Sequence, residues 1–274
     1  MKYKKFVKKE HAVAGVIEAL LLVALVSIII STIQLVYIPE IMEEREAEHM
    51  DQVSNQFSSL KSMIELQAIT NSSAPISTMI TLGSKELPYF ITARSYGEIS
   101  TVDEGEYKIE TLPATPTFPF GIPLTSIKYE AYNSYFVDQI YALEGGGIIV
   151  KQPNGESVMR VDPSIYVEND VDIRFDLPII VGIPGKNLTY GHGKCFVRTN
   201  WSQGGTAYFP NSTTINISTQ YPNAWNESLY SMLGDKVNYE KGTSYVKITR
   251  KDDDINLKLR YYYIYVQIGH GWIK

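Results

Sequence analysis

The sequence predicts an α+β protein: a long N-terminal helix of membrane and stalk character, followed by an all-β, sandwich-like, antiparallel domain. Three observations carry that expectation. Residues 12–38 are apolar and free of proline, with Glu18 their one charge. Residues 40–70 contain neither Gly nor Pro and repeat apolar residues every three or four positions. From Pro75 onward Gly and Pro recur about every ten residues, with β-branched and aromatic runs between them, which is the texture of short strands joined by turns.

The first eleven residues hold Lys2, Lys4, Lys5, Lys8 and Lys9 against Glu10, a tip of charge +4 on a chain whose net charge is −5. The body is therefore acidic, which argues against a nucleic-acid partner, since phosphates require a basic face. The run Ala12–Ile38 is 27 residues. About 20 suffice to cross a bilayer, and a helix is the one single-segment fold that satisfies its own backbone there. Lysines before the run and Glu40, Glu43, Glu44, Glu46 and Glu48 after it place the N-terminus in the cytoplasm and the body outside.

The small residues Ala12, Ala14 and Gly15 stand before the apolar run, whereas a secretory signal has its cleavage site after it. The stretch KKEHAVAGVIEALLLVALV resembles the N-terminus of archaeal type IV pilins. The resemblance implies a class III signal peptide cut by a prepilin peptidase, with the helix retained to build a filament core. It places the cut after Ala12, with cuts after Val13, Ala14 or Gly15 remaining open. The chain then divides into a leader 1–12, a membrane and filament-core helix 13–38, a stalk helix 39–70 and a β-rich body 75–274. The resemblance also gives Glu18 a role in assembly, as partner of a neighbouring subunit's new N-terminal amine. A buried carboxylate is tolerated when paired, although many archaeal pilins lack this Glu. The alternative is a Glu close enough to the cytoplasmic interface to reach water.

Pro39 is expected to kink or restart the helix. Met50, Val53, Phe57, Leu60 and Ile64 form an apolar stripe on the stalk, suited either to the chain's own body or to neighbouring stalks. Turn formers at Asn71-Ser72-Ser73-Ala74-Pro75 should end the helix. Strands are expected at Ile76–Leu82, Tyr89–Ser95, Tyr107–Thr111, Ser126–Tyr132, Gly147–Gln152, Ser157–Val161, Ile165–Val167 and Val171–Leu177. Others are expected at Lys194–Arg198, Thr214–Ser218, Tyr245–Thr249 and Leu257–Ile268, and a short helix over Trp225–Leu233 capped by Asn226 or a neighbour. The segment EGGGIIVKQPNGESVMRVDPSIYVEND resembles one shared by archaeal pilin-like proteins, and its Gly145-Gly146-Gly147 and Asn154-Gly155 read as hairpin turns.

Six of 13 asparagines begin a glycosylation sequon: Asn71, Asn187, Asn200, Asn211, Asn216 and Asn226. Composition alone gives about two. A Ser/Thr/Asn-rich loop region is the plain reading, and a glycosylated outer face the one that fits an exported chain. Cys195 is the single cysteine, so no intrachain disulfide forms.

No catalytic constellation emerges, and no metal or cofactor is expected. His192 near Cys195 reads as a loop histidine beside a small buried thiol, Gly269-His270-Gly271-Trp272 as a chain-end turn, and Asp252-Asp253-Asp254 as a solvated turn without calcium-loop spacing. The expected function is structural: a minor or specialised subunit of a pilus-like surface filament, not an enzyme. Its expected partners are the membrane, a prepilin peptidase and other copies or pilin-like subunits. A non-polymerising, signal-anchored surface protein whose β body binds a surface ligand is the alternative.

Overall fold

A computed structural model describes residues 7–84, 95–111, 121–168, 172–210, 212–251 and 256–269. The chain opens with α1 (Val7–Thr32), passes through a π-helical turn at Ile33–Tyr37 and continues as α2 (Ile38–Thr70). Pro39 does not restart the helix. The Ile38 N–H bonds to the Ile33 carbonyl, five residues back, so the helix widens by one residue ahead of the proline. That widening relieves the clash of the Pro39 ring with the preceding turn, and the rod stays continuous. α2 ends where the turn formers gather: Asn71 takes left-handed φ 49°, and the Asn71 and Ser72 N–H groups both bond to the Gln67 carbonyl.

Among the described residues fourteen strands and one further α-helix follow. In chain order they are β1 (Ile76–Thr81), β2 (Tyr96–Thr111), β3 (Ile122–Tyr132), β4 (Ile140–Glu144), β5 (Gly147–Lys151), β6 (Val158–Val161), β7 (Ser164–Glu168) and β8 (Asp172–Gly182). Then come β9 (Leu188–Gly191), β10 (Lys194–Phe209), β11 (Ser212–Ser218), α3 (Pro222–Leu233), β12 (Val237–Lys241), β13 (Tyr245–Arg250) and β14 (Asn256–Ile268). One sheet runs β1-β10-β14-β8-β7; the other runs β12-β13-β11-β2-β3-β4-β5-β6, with β9 also on β2. The expected antiparallel pairing gives way at one ladder, because β14 lies parallel to β8 from Asn256↔Asp172 to Val266↔Gly182. A parallel pair needs a long crossover, here the chain from β9 through β13.

Two cores are stacked along the long strands. The stripe expected on the stalk, Met50, Val53, Phe57, Leu60 and Ile64, is buried against the chain's own body with Ile80, Ile99, Tyr129, Val197 and Ile264. The second core gathers Tyr107, Leu124, Phe175, Phe209, Ile217 and Leu259 around Trp225 and Leu229 of α3. β2, β3, β8, β10 and β14 each give residues to both. Bulges at Asp103/Gly105 in β2 and Trp201/Gly204 in β10 fall where those strands leave one core for the other, re-aiming their side chains.

The expected hairpin at Gly145-Gly146-Gly147 is present, and the details of three local expectations are sharpened. α3 starts at Pro222, whose missing N–H costs nothing in a first turn, with Tyr221 rather than Asn226 at the N-cap position. The β4–β5 reversal uses Gly145 and Gly146, both at positive φ (55° and 83°), as a two-residue hairpin requires. The β5–β6 reversal turns instead on Pro153 and Asn154, with the Gly155 N–H donated to the Gln152 carbonyl at 3.1 Å. The strand expected at Tyr89–Ser95 lies outside the described residues, apart from Ser95.

Candidate assembly helix and its anchorage

Every described side chain from Ala14 to Tyr37 is exposed, including Gly15 and Glu18. Ala12 and Val13 lie within α1, and their side chains are outside the described residues. The helix is long and apolar enough to cross a membrane, and no other part of the chain covers it among the described residues. Two of its hydroxyls are satisfied internally: Ser27 donates to the Val23 carbonyl at 2.8 Å and Thr32 to the Ile28 carbonyl at 2.9 Å.

Where the rod leaves this exposed stretch, the body takes hold of it. Ile38 and Met42 are buried, and Glu46 is wholly buried. The Glu46 carboxylate accepts three backbone N–H groups in the β3–β4 loop: Ser134 at 3.1 Å, Tyr135 at 2.7 Å and Phe136 at 2.7 Å. Asp138 accepts the Asn133 N–H at 2.6 Å, and the Asn133 amide donates to the Val137 carbonyl at 2.9 Å, so the loop is shaped before it meets the helix. Further fasteners follow up α2. The Gln56 side-chain carbonyl accepts the Thr81 N–H at 2.9 Å, and Gln67 donates to the carbonyls of Ala74 (2.9 Å) and Thr199 (3.1 Å). Arg260 donates to the Ala68 carbonyl at 2.9 Å. Charge-assisted bonds to a buried acceptor are among the stronger ones in proteins, so the stalk is fixed to the body along most of its length.

On charge alone Glu46 reads like the other acids that follow the rod. Its position was legible in the spacing, since residues 42, 46, 50 and 53 share a helix face with the stripe above them. A second missed acid, Glu144, ends β4 beside the Gly145-Gly146 turn and is wholly buried. It accepts the Thr219 hydroxyl at 2.7 Å and the Trp225 indole N–H at 2.6 Å, tying α3 to the sheet. Burial pushes its pKa up to about 8, with Glu104 nearby adding to the rise against those two donors. Its other oxygen and the Tyr107 hydroxyl have no hydrogen-bond partner among the described residues.

The sequons fall in unlike places. Asn71, at the end of α2, and Asn187, before β9, are exposed. Asn200 in β10 and Asn216 in β11 are half-buried, with their side-chain oxygens enclosed and without a partner among the described residues. Asn226 is half-buried on α3, and Ser228 of its sequon donates to Asp162 at 2.6 Å. Asn211 lies outside the described residues, as do Asp252-Asp253-Asp254 and His270-Gly271-Trp272.

Cys195 and His192 do not form a nucleophile pair. The thiol is fully buried and points at the Phe196 carbonyl, and desolvation pushes its pKa up, the reverse of activation. The His192 Nδ1 is committed to the Ser95 carbonyl at 3.0 Å. Among the described residues no group of three or more His, Cys, Asp and Glu is placed to hold a metal ion. Two open clefts flank α2. One of ≈ 690 Å³ is lined by Arg45, Glu48, His49, His192 and Lys194, and one of ≈ 400 Å³ by Asp51, Phe136, Tyr141 and Arg160. Comparison with known protein families, curated proteins and solved structures finds no match to the chain.

Proposed function

We propose that the chain is a structural subunit of an archaeal type IV pilus-like surface filament, a minor or specialised one given its large body. In this reading a prepilin peptidase trims the basic tip, which faces the cytoplasm, and the β body stands outside. One observation supports it above the others: an apolar rod, exposed along Ala14–Tyr37, runs unbroken into a stalk fastened to a folded body. Such a rod must be covered, by lipid before assembly and by other helices afterwards. The lysine-rich tip and the acids beyond the rod support the orientation. Exposed sequons at Asn71 and Asn187 support glycans on the outer face.

Immunogold electron microscopy of cells producing the full chain tests the reading. Gold along filaments is the expected result, and gold spread over the envelope with none on filaments counts against it. A second reading, an anchored receptor that does not polymerise, draws support from the two clefts beside α2. The same images separate the two.

A further inference from the structure

The face of α2 turned away from the body changes character along its length. Glu44, Glu48 and Asp51 are exposed acids; Asn55, Ser59 and Ser62 follow, exposed and uncharged. Met63, Leu66 and Ile69 complete it, with 37%, 49% and 68% of their surfaces exposed. These residues recur at intervals of three and four and so form one stripe. The hydroxyls in its upper part are already satisfied: Ser59 donates to the Asn55 carbonyl (2.9 Å), Ser62 to Ser58 (3.0 Å) and Thr70 to Leu66 (2.7 Å). Covering this region with an apolar surface would strand no hydroxyl donor, and its small residues permit close helix approach.

We propose that the distal part of this face, centred on Leu66, is the docking strip for α1 of a second copy of the chain. The proposal rests on the filament reading and names the contact that reading requires. Charge selects the place. From Ala19 to Thr32 α1 carries no charge, so against Glu44, Glu48 and Asp51 it would desolvate three carboxylates and offer them nothing. Against Ser59–Thr70 it meets small, internally bonded and apolar side chains. The middle of the exposed apolar stretch Ala14–Tyr37 lies about 40 residues before Leu66, so the two copies are displaced by roughly 60 Å along the helix axis. Giving and receiving surfaces differ and successive copies are displaced along the axis, so the contact cannot close into a ring and repeats into an open array. A side-by-side pairing of two α2 faces would instead set the three acids against their own copies.

Cys195 is fully buried, so introduced cysteines report alone. Leu66→Cys is combined in turn with Leu25→Cys, Val26→Cys, Ser27→Cys and Ile28→Cys in the full chain; four successive positions sample the whole circumference of α1. Residue 66 is roughly 60 Å from each of them within one chain, so a disulfide joining them is intermolecular. Oxidation of filaments should give a ladder of linked chains for at least one pair. Dimers through residue 66 alone, or no link for any pair, overturn the proposal. Leu66→Lys and Ile69→Lys should lower filament yield at least tenfold while the Trp225 fluorescence and protease resistance of the body stay unchanged; undiminished yield also overturns it. Absence of filaments from the unaltered chain would reject the filament reading itself, whereas filaments with residue 66 unlinked reject the strip alone.

Discussion

Glu46→Ala is the sharpest perturbation of the joint between rod and body. It removes an acceptor from three backbone N–H groups at 3.1, 2.7 and 2.7 Å. A hydrogen bond to a charged group is worth about 1.5–3 kcal/mol, which sets the ceiling. Two terms reduce it: water reaches part of the exposed loop at Ser134, and the folded state no longer desolvates a carboxylate. The net loss should be about 3–5 kcal/mol. For a chain of this size that lowers the melting temperature by roughly 10 °C. Glu46→Gln keeps the shape and one oxygen but turns two donors towards donors, so it should fall between Ala and the native chain. Circular dichroism of the full chain in detergent gives the melting temperature, and hydrogen exchange should show lost protection at the amides of Tyr135 and Phe136. A melting temperature within about 2 °C of the native one, with those amides still protected, would refute the view that Glu46 is the fastener.

The remaining predictions concern the cores, one buried acid and the rod. Phe57 is fully buried with ring centroids 5.9 Å from Tyr141 and 6.4 Å from Tyr129, so Phe57→Ala should cost about 3–5 kcal/mol in urea unfolding. Glu144 holds its proton up to about pH 8 when folded but releases it near the ordinary carboxylate value when unfolded. The stability that Glu144 contributes should therefore be greatest below that ordinary value and be lost as pH rises towards and through 8, an amount on the order of 4 kcal/mol, and Glu144→Gln should remove that part of the slope. At Gly145 an added Cβ would stand 2.1 Å from the Tyr107 hydroxyl at φ 55°, whereas at Gly155 the nearest atom is 3.6 Å away. Gly145→Ala should therefore destabilise by about 2 kcal/mol or more and Gly155→Ala by less than about 0.5. Glu18→Gln should leave trimming intact and reduce filament yield; unchanged yield would mean that the carboxylate serves another purpose.

What the sequence disclosed follows from the range of the forces involved. The rod, its stripe and its end at Asn71 are written in local periodicity, and each stands in the structure. Long strands were seen only in part. β10 continues through Asn200-Trp201-Ser202-Gln203-Gly204-Gly205, a stretch with the composition of a turn, because a bulge lets it pass from one core to the other. β4, β9 and β12 escaped notice, since five-, four- and five-residue strands gain their pairing from partners distant in sequence. The parallel β8–β14 ladder is a property of topology that no local pattern announces. Glu46 and Glu144 were hidden for a related reason. A carboxylate reads as a surface residue until the three amides that receive Glu46, or the Thr219 hydroxyl and Trp225 indole that receive Glu144, are brought to it by the fold.

The claim that the apolar rod is kept as an assembly element is tested most directly by the mass of the mature polypeptide isolated from cells. A chain beginning at Val13, or at Ala14, Gly15 or Val16, with residues 16–38 intact is the expected result. A chain still starting at Met1, or one cut after Ile38, would contradict it.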